Sequence, residues 1–217
     1  MRDFISYLKN PYEDLKLPAK KIWSVLLTFL AIYIIRIIVA IVSKVVFKDS
    51  SPDNSLSDIS SVLPLWIALF IPPVLEELSL RLWLKRNTVN ILISAVGFIW
   101  CLASMFLCES IYTTDRLVLR CVIALAGGIA VTLLLKKQIT NAKFPVIFYM
   151  SAILFGLLHA HNFEDVVSIA GVLYVLVNLA MHVLGGLFFG YVRVGYGIVA
   201  SILFHLTNNL VVIFLYL

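Results

Sequence analysis

From Ile22 onward the chain offers seven apolar stretches, 22–47, 62–84, 88–108, 117–135, 144–162, 166–191 and 196–217, parted by short polar breaks. A helix needs about 20 apolar residues to cross the hydrocarbon core of a bilayer. Inside lipid every backbone N–H and C=O must be bonded within the protein, which leaves only helices and closed barrels. Strand-type alternation is absent, so the expected fold is all-α: a polytopic transmembrane helix bundle of about seven spans. Composition agrees. The chain is 62% hydrophobic and 13% charged, against about a quarter charged in a soluble globule. The expected organisation is a cytoplasmic N-terminal tail, 1–21, followed by a transmembrane helical domain, 22–217.

Orientation follows from lysine and arginine. With the N-terminus in the cytoplasm, the inner segments hold Arg2, Lys9, Lys16, Lys20, Lys21, Lys85, Arg86, Lys136, Lys137, Lys143 and Arg193. The outer side holds Lys44, Lys48, Arg116 and Arg120, and is rich in acid: Asp49, Asp53, Asp58, Glu109, Asp115, Glu164 and Asp165. The arrangement is N-in and C-out. The net charge of +5 then reflects topology and anionic lipid headgroups, with no call for nucleic acid. The opening MRDFISYLKNPYEDLKLPAKK is charged throughout and lacks the apolar core of a signal peptide. Phe4, Ile5, Tyr7 and Leu8 let it lie on the bilayer surface; a frayed tail is the other reading. Cys101, Cys108 and Cys121 form no metal spacing and act as small hydrophobes.

Two acids escape the polar segments. Ten of the twelve fall in the tail or in loops, but Glu76 and Glu77 lie within an apolar run, in PPVLEELSLR. A carboxylate at membrane depth costs about 2.5–3.5 kcal/mol even on insertion scales, and such residues are usually functional. Glu77 and Arg81 are four apart and share a helix face, so they can pair. Glu76 is rotated by about 100° and points elsewhere, which makes it the freer group to act as a base. A buried network that merely locks the bundle is the bland alternative. Pro72 and Pro73 just before should loosen or kink the helix and admit water.

Two further polar clusters sit in apolar segments. FGLLH places Phe155 and His159 one turn apart, and HLTNN does the same for His205 and Asn209. A carboxylate, imidazoles and an amide converging from three helices can activate water and stabilise an oxyanion. At 1.5 Å per residue, however, His159 falls about 10 Å nearer the outer side than Glu76 and His205.

These motifs resemble those of the CPBP intramembrane protease family, which includes CAAX prenyl endopeptidases and bacteriocin-processing relatives and is also called Abi. EELSLR is similar to its E-E-x-x-x-R motif, FGLLH to its F-x-x-x-H and HLTNN to its H-x-x-x-N, in the family's order, over roughly residues 60–210. Leu80 and Leu82 stand where the family often has an aromatic and a glycine. The resemblance implies a glutamate-dependent intramembrane endopeptidase. Glu76 and His159 would activate water, His205 and Asn209 would hold the oxyanion, and Glu77, Arg81 and Phe155 would support them. It favours a metal-free site without cofactor. Glu, His and His could instead supply three zinc ligands, but H-E-x-x-H is absent. The implied partners are membrane lipid and a peptide or membrane-anchored protein substrate, and the implied location is a prokaryotic plasma membrane.

Two other classes stay open. A proton-coupled transporter would use Glu76 and the histidines as a relay, but no repeat symmetry is visible. A non-catalytic immunity or scaffold protein would keep the fold alone. Among remaining polar residues, His161 reads as an exposed turn residue. His182, with Asn178 one turn away, reads as an interhelical hydrogen-bond partner. Arg36 either snorkels or faces the bundle. Gly185, Gly186 and Gly190 mark close helix contact.

Overall fold

The computed structural model describes residues 1–47, 65–108, 114–163, 166 and 168–216. Lys48, Asp49, Asp53, Asp58, Glu109, Glu164 and Asp165, and the side chain of His161, lie outside what is described. The α-helices are α1 (Arg2–Lys9), α2 (Ile22–Val46), α3 (Leu65–Leu80), α4 (Thr88–Leu107), α5 (Leu117–Asn141), α6 (Phe144–Leu158), α7 (Ile169–Tyr196) and α8 (Ile198–Tyr216). No strand occurs among the described residues. Each of α2 to α8 falls on one of the seven apolar stretches. Ala19–Val46, Thr88–Leu107, Leu117–Asn141 and Ile169–Tyr196 are long and apolar enough to cross a membrane, while Phe144–Leu158 and Ile198–Val211 are shorter apolar helices.

Local chemistry sets the boundaries. Asn87 caps α4 by accepting from the Asn90 N–H at 2.8 Å, and Ser168 caps α7 by accepting from Gly171 at 2.9 Å. These caps satisfy donors that a helix start leaves free. α7 passes to α8 through Gly197 alone, at φ +98. A Cβ there would meet nothing within 4 Å, so glycine is required by the backbone angle and not by space. α3 is helical through Pro72 and Pro73 without interruption, so the expected loosening does not break it. The pair still removes two N–H donors from the ladder.

α7 is the central packing strut. At Gly186 an added Cβ would lie 3.0 Å from Ala152 Cα, and at Gly190 it would lie 2.9 Å from the Phe148 ring. Gly186 thus lets the backbones of α6 and α7 touch, and Gly190 makes room for the Phe148 ring between them, as small residues do in membranes. α3 runs antiparallel to α6: Ser151 bonds the Leu80 carbonyl, and His159 faces Glu76. Leu80 and Leu82, at the positions where the family pattern differs, are buried.

One sequence expectation needs correction. The N-terminal segment neither lies free on a bilayer nor frays. Phe4 and Tyr7 are buried, Phe4 edge-on to Phe188 and Tyr191 and Tyr7 edge-on to Phe148. Tyr149 bonds the Leu8 carbonyl, Lys21 pairs with Asp3 at 2.9 Å, and Glu13 pairs with Arg86. Two aromatic residues three apart cover one helix face, and here α6 and α7 accept that face. Arg120, assigned to the outer side, is buried in the first turn of α5. It bonds Ser104 Oγ at 3.1 Å and lies 4.7 Å over the Trp100 ring. The three cysteines are free.

Candidate active site

α3, α6, α7 and α8 meet around Glu76 and Glu77. Both glutamates reach His205, one to each ring nitrogen. His205 Nδ1 lies 3.0 Å from Glu77 Oε1, and its Nε2 lies 3.8 Å from Glu76 Oε2. Adjacent carboxylates therefore point apart, as expected, yet one imidazole spans the two. The bond to Glu77 assigns the Nδ1 proton.

Glu77 is fully buried and has three partners. Arg81 Nη1 stands 3.5 Å away, Ser201 Oγ donates at 2.5 Å, and His205 Nδ1 donates at 3.0 Å. The expected Glu77–Arg81 pair forms, but it is the longest of the three contacts. Glu77 is also the group that orients His205, a role its helix spacing to Arg81 did not reveal. Ser201 was not singled out by sequence. The signal is present in S-x-x-x-H-x-x-x-N, where Ser201, His205 and Asn209 recur every fourth residue on one face of α8.

Arg81 is buried, and its guanidinium makes no hydrogen bond among the described residues. Its charge is balanced by Glu77 and by the Phe155 face 4.0 Å away. Phe155 thus has a physical function: its face receives Arg81 while its ring packs at an angle to His159 at 4.7 Å and His205 at 5.5 Å. Phe189 stacks on His205 at 4.6 Å.

His159 closes the cluster from α6. Its Nδ1 donates to the Phe155 carbonyl at 2.8 Å, which leaves Nε2 as an acceptor 3.9 Å from Glu76 Oε2. His159 reaches Glu76 despite the depth offset of about 10 Å expected from helix rise. Helical side chains lean towards their own N-terminus. Because α3 and α6 are antiparallel, Glu76 and His159 lean towards each other. Glu76 Oε2 is buried without a hydrogen-bond partner among the described residues, although both imidazole Nε2 atoms face it.

The remaining motif residue, Asn209, is half-buried, and its Oδ1 accepts from Asn208 Nδ2 at 3.2 Å. Asn208 also accepts from Arg36 Nη1 at 2.7 Å. Arg36 therefore faces the bundle and does not snorkel. His182 differs from expectation too. Its Nδ1 bonds the Asn178 carbonyl of its own helix at 2.9 Å, and its ring stacks on His159 at 4.1 Å. The contact between helices is a stack of two rings, not a hydrogen bond.

Residues 58–211, more than two thirds of the chain, match the family described as Type II CAAX prenyl endopeptidase Rce1-like. The chain belongs to this family. No curated protein and no solved structure matches it. The Rce1-like match takes in Glu76, Glu77, Arg81, Phe155, His159, His205 and Asn209, and leaves α1 and α2 outside. Membership of this protease family and the long apolar helices together make the chain an integral membrane protein.

Proposed function

We propose that this protein is a glutamate-dependent intramembrane endopeptidase, acting on the prenylated C-terminal end of a membrane-anchored protein. One observation carries the reading: Glu76 Oε2, buried and without a partner among the described residues, faces the Nε2 atoms of His159 and His205 at 3.9 and 3.8 Å. Such gaps are too long for direct hydrogen bonds and suit a bridging water. A water between Glu76 and His159 donates to both, which turns its lone pair towards a substrate carbonyl carbon. As the C–O bond forms, its proton passes to Glu76 and the carbonyl electrons move to oxygen. A second proton on His205 Nε2, balanced by Glu77 on the far side of the ring, makes that atom the donor an oxyanion needs. The Asn209 amide is the other donor. Glu76 then gives its proton to the amine nitrogen as the C–N bond breaks. The products are a new carboxyl end and a short released peptide.

The reading is metal-free, because Glu76 and His159 already offer the two acceptors that the water requires. It also takes α2 to α8 as seven spans of a prokaryotic plasma membrane, N-terminus in and C-terminus out, supported by the basic inner connections. No observation favours transport or a purely scaffolding role.

The test is cleavage of a quenched-fluorescent peptide ending in a farnesylated Cys-aliphatic-aliphatic-Met sequence by detergent-purified protein. Glu76→Gln should lower kcat by about 10²–10⁴-fold, the usual span for a lost acid–base group. Dialysis against a strong chelator should leave wild-type turnover intact. Wild-type activity in Glu76→Gln would overturn the role of Glu76, and activity restored only by added zinc would overturn the metal-free mechanism.

A further inference from the structure

α2 lies outside the family match, yet it carries a guanidinium to the edge of the catalytic cluster. Arg36 stands about 21 Å along α2 from Ile22 and about 15 Å short of Val46, at 1.5 Å per residue. Its side chain turns inward, where Nη1 donates to Asn208 Oδ1 at 2.7 Å. Asn208 in turn bonds Asn209. Gly185 of α7 adjoins Arg36: a Cβ there would sit 3.6 Å from Nη1, an ordinary contact.

Among the described residues, Arg36 has no anionic partner. The acidic groups paired among the described residues are Asp3, Glu13, Glu76 and Glu77, and their partners are Lys21, Arg86, Arg81, His159 and His205. Arg36 is in none of these pairs. Its amide partner Asn208 is neutral. A cation at membrane depth is costly and is normally matched by an opposite charge or placed on a substrate path. Arginine presents a planar fork that suits a carboxylate through two parallel N–H donors. One such donor is taken by Asn208. The rest of the guanidinium remains beside the residues that handle the scissile bond, about one helical turn past His205 along α8.

We propose that Arg36 binds the C-terminal carboxylate of the substrate, and so sets how far from the chain end the bond at Glu76 is cut. This rests on the endopeptidase reading and adds a residue from outside the family core. A peptide whose carbonyl sits against Glu76 and His205 runs on towards Asn208, where its terminal carboxylate supplies the missing anion. An internal peptide segment brings no such charge and leaves Arg36 unmatched.

The experiment compares the same farnesylated fluorogenic peptide as free acid and as C-terminal amide. Wild type should cleave the acid with kcat/KM about tenfold or more above the amide, the scale of one charge-assisted hydrogen bond. In Arg36→Gln, which keeps an N–H for Asn208, that ratio should fall close to one. In Arg36→Lys, which keeps the charge without the fork, it should be intermediate, and this variant decides if the glutamine variant does not fold. Equal cleavage of acid and amide by wild type overturns the assignment of Arg36 while leaving the endopeptidase reading intact, as does a full acid preference in Arg36→Gln. Thermal melts with the tripeptide Val-Ile-Met, acid against amide, separate the two readings. If wild type cuts neither peptide, the endopeptidase reading fails for this substrate. Stabilisation by the acid alone, lost in Arg36→Gln, then still supports the carboxylate site, and its absence overturns it.

Discussion

Replacing Glu77 by Gln removes one charge from a point where three buried groups converge. His205 can keep its bond, since the amide oxygen can accept from Nδ1. Ser201 can adapt by turning its hydroxyl to the Phe189 carbonyl, already 2.9 Å away. Arg81 cannot adapt. No hydrogen bond holds its guanidinium among the described residues, and Glu77 at 3.5 Å is its paired carboxylate. At an effective dielectric of about 20, two charges at that distance attract by roughly 5 kcal/mol. Breaking a buried pair from one side typically costs about 3–5 kcal/mol. The Phe155 face at 4.0 Å is the same before and after the change, so it does not offset that loss. For a chain of this size a loss of about 3–5 kcal/mol lowers Tm by roughly 6–20 °C. Differential scanning fluorimetry of detergent-purified variants is the assay. Arg81→Gln should show a similar loss. The double variant Glu77→Gln with Arg81→Gln should recover about half or more, because no charge is left unmatched. A double variant as unstable as the sum of the two singles would refute the pairing. So would a Glu77→Gln protein that melts with wild type, or one that stays folded but inactive while Glu76→Gln remains active.

Two more outcomes follow from the geometry. His182→Phe should keep the ring stacked on His159 and hold kcat near wild type, whereas His182→Ala should cut it about two- to tenfold, the worth of one aromatic pair; equal rates would show that the stack positions nothing. A reporter fused after residue 217 should read as external, and a cytoplasmic signal would break the seven-span arrangement.

Much of the candidate site was legible because chemistry in lipid is conspicuous. Glu76, His159 and His205 stand out where every neighbour is apolar, and four-residue spacing orders their helices. Ser201 went unseen because a single serine in a membrane helix is common and often bonds its own backbone. The second role of Glu77 was hidden by a local partner: Arg81 at i+4 satisfied the pattern, while His205 lies 128 residues away. The partner of Arg36 was out of reach for the same reason, since it depends on how α2 packs against α8 across 172 residues. The fate of α1 was ambiguous in principle. Phe4 and Tyr7 form an apolar face that fits a lipid surface or a protein groove equally well, and only the packed ends of α6 and α7 decide between them.

The docking of α1 also sets an order in time. Phe4 emerges from the ribosome more than 180 residues before Phe188 and Tyr191, the rings it packs against. At about 5–20 residues per second this is a wait of roughly 10–40 s. Throughout that interval the segment has no groove to occupy. Its closure is therefore among the last events of assembly, after α6 and α7 have met through Gly186 and Gly190. A chain that mis-inserts either helix leaves Phe4 and Tyr7 exposed, a ready mark for the proteases and chaperones that remove unfinished membrane proteins.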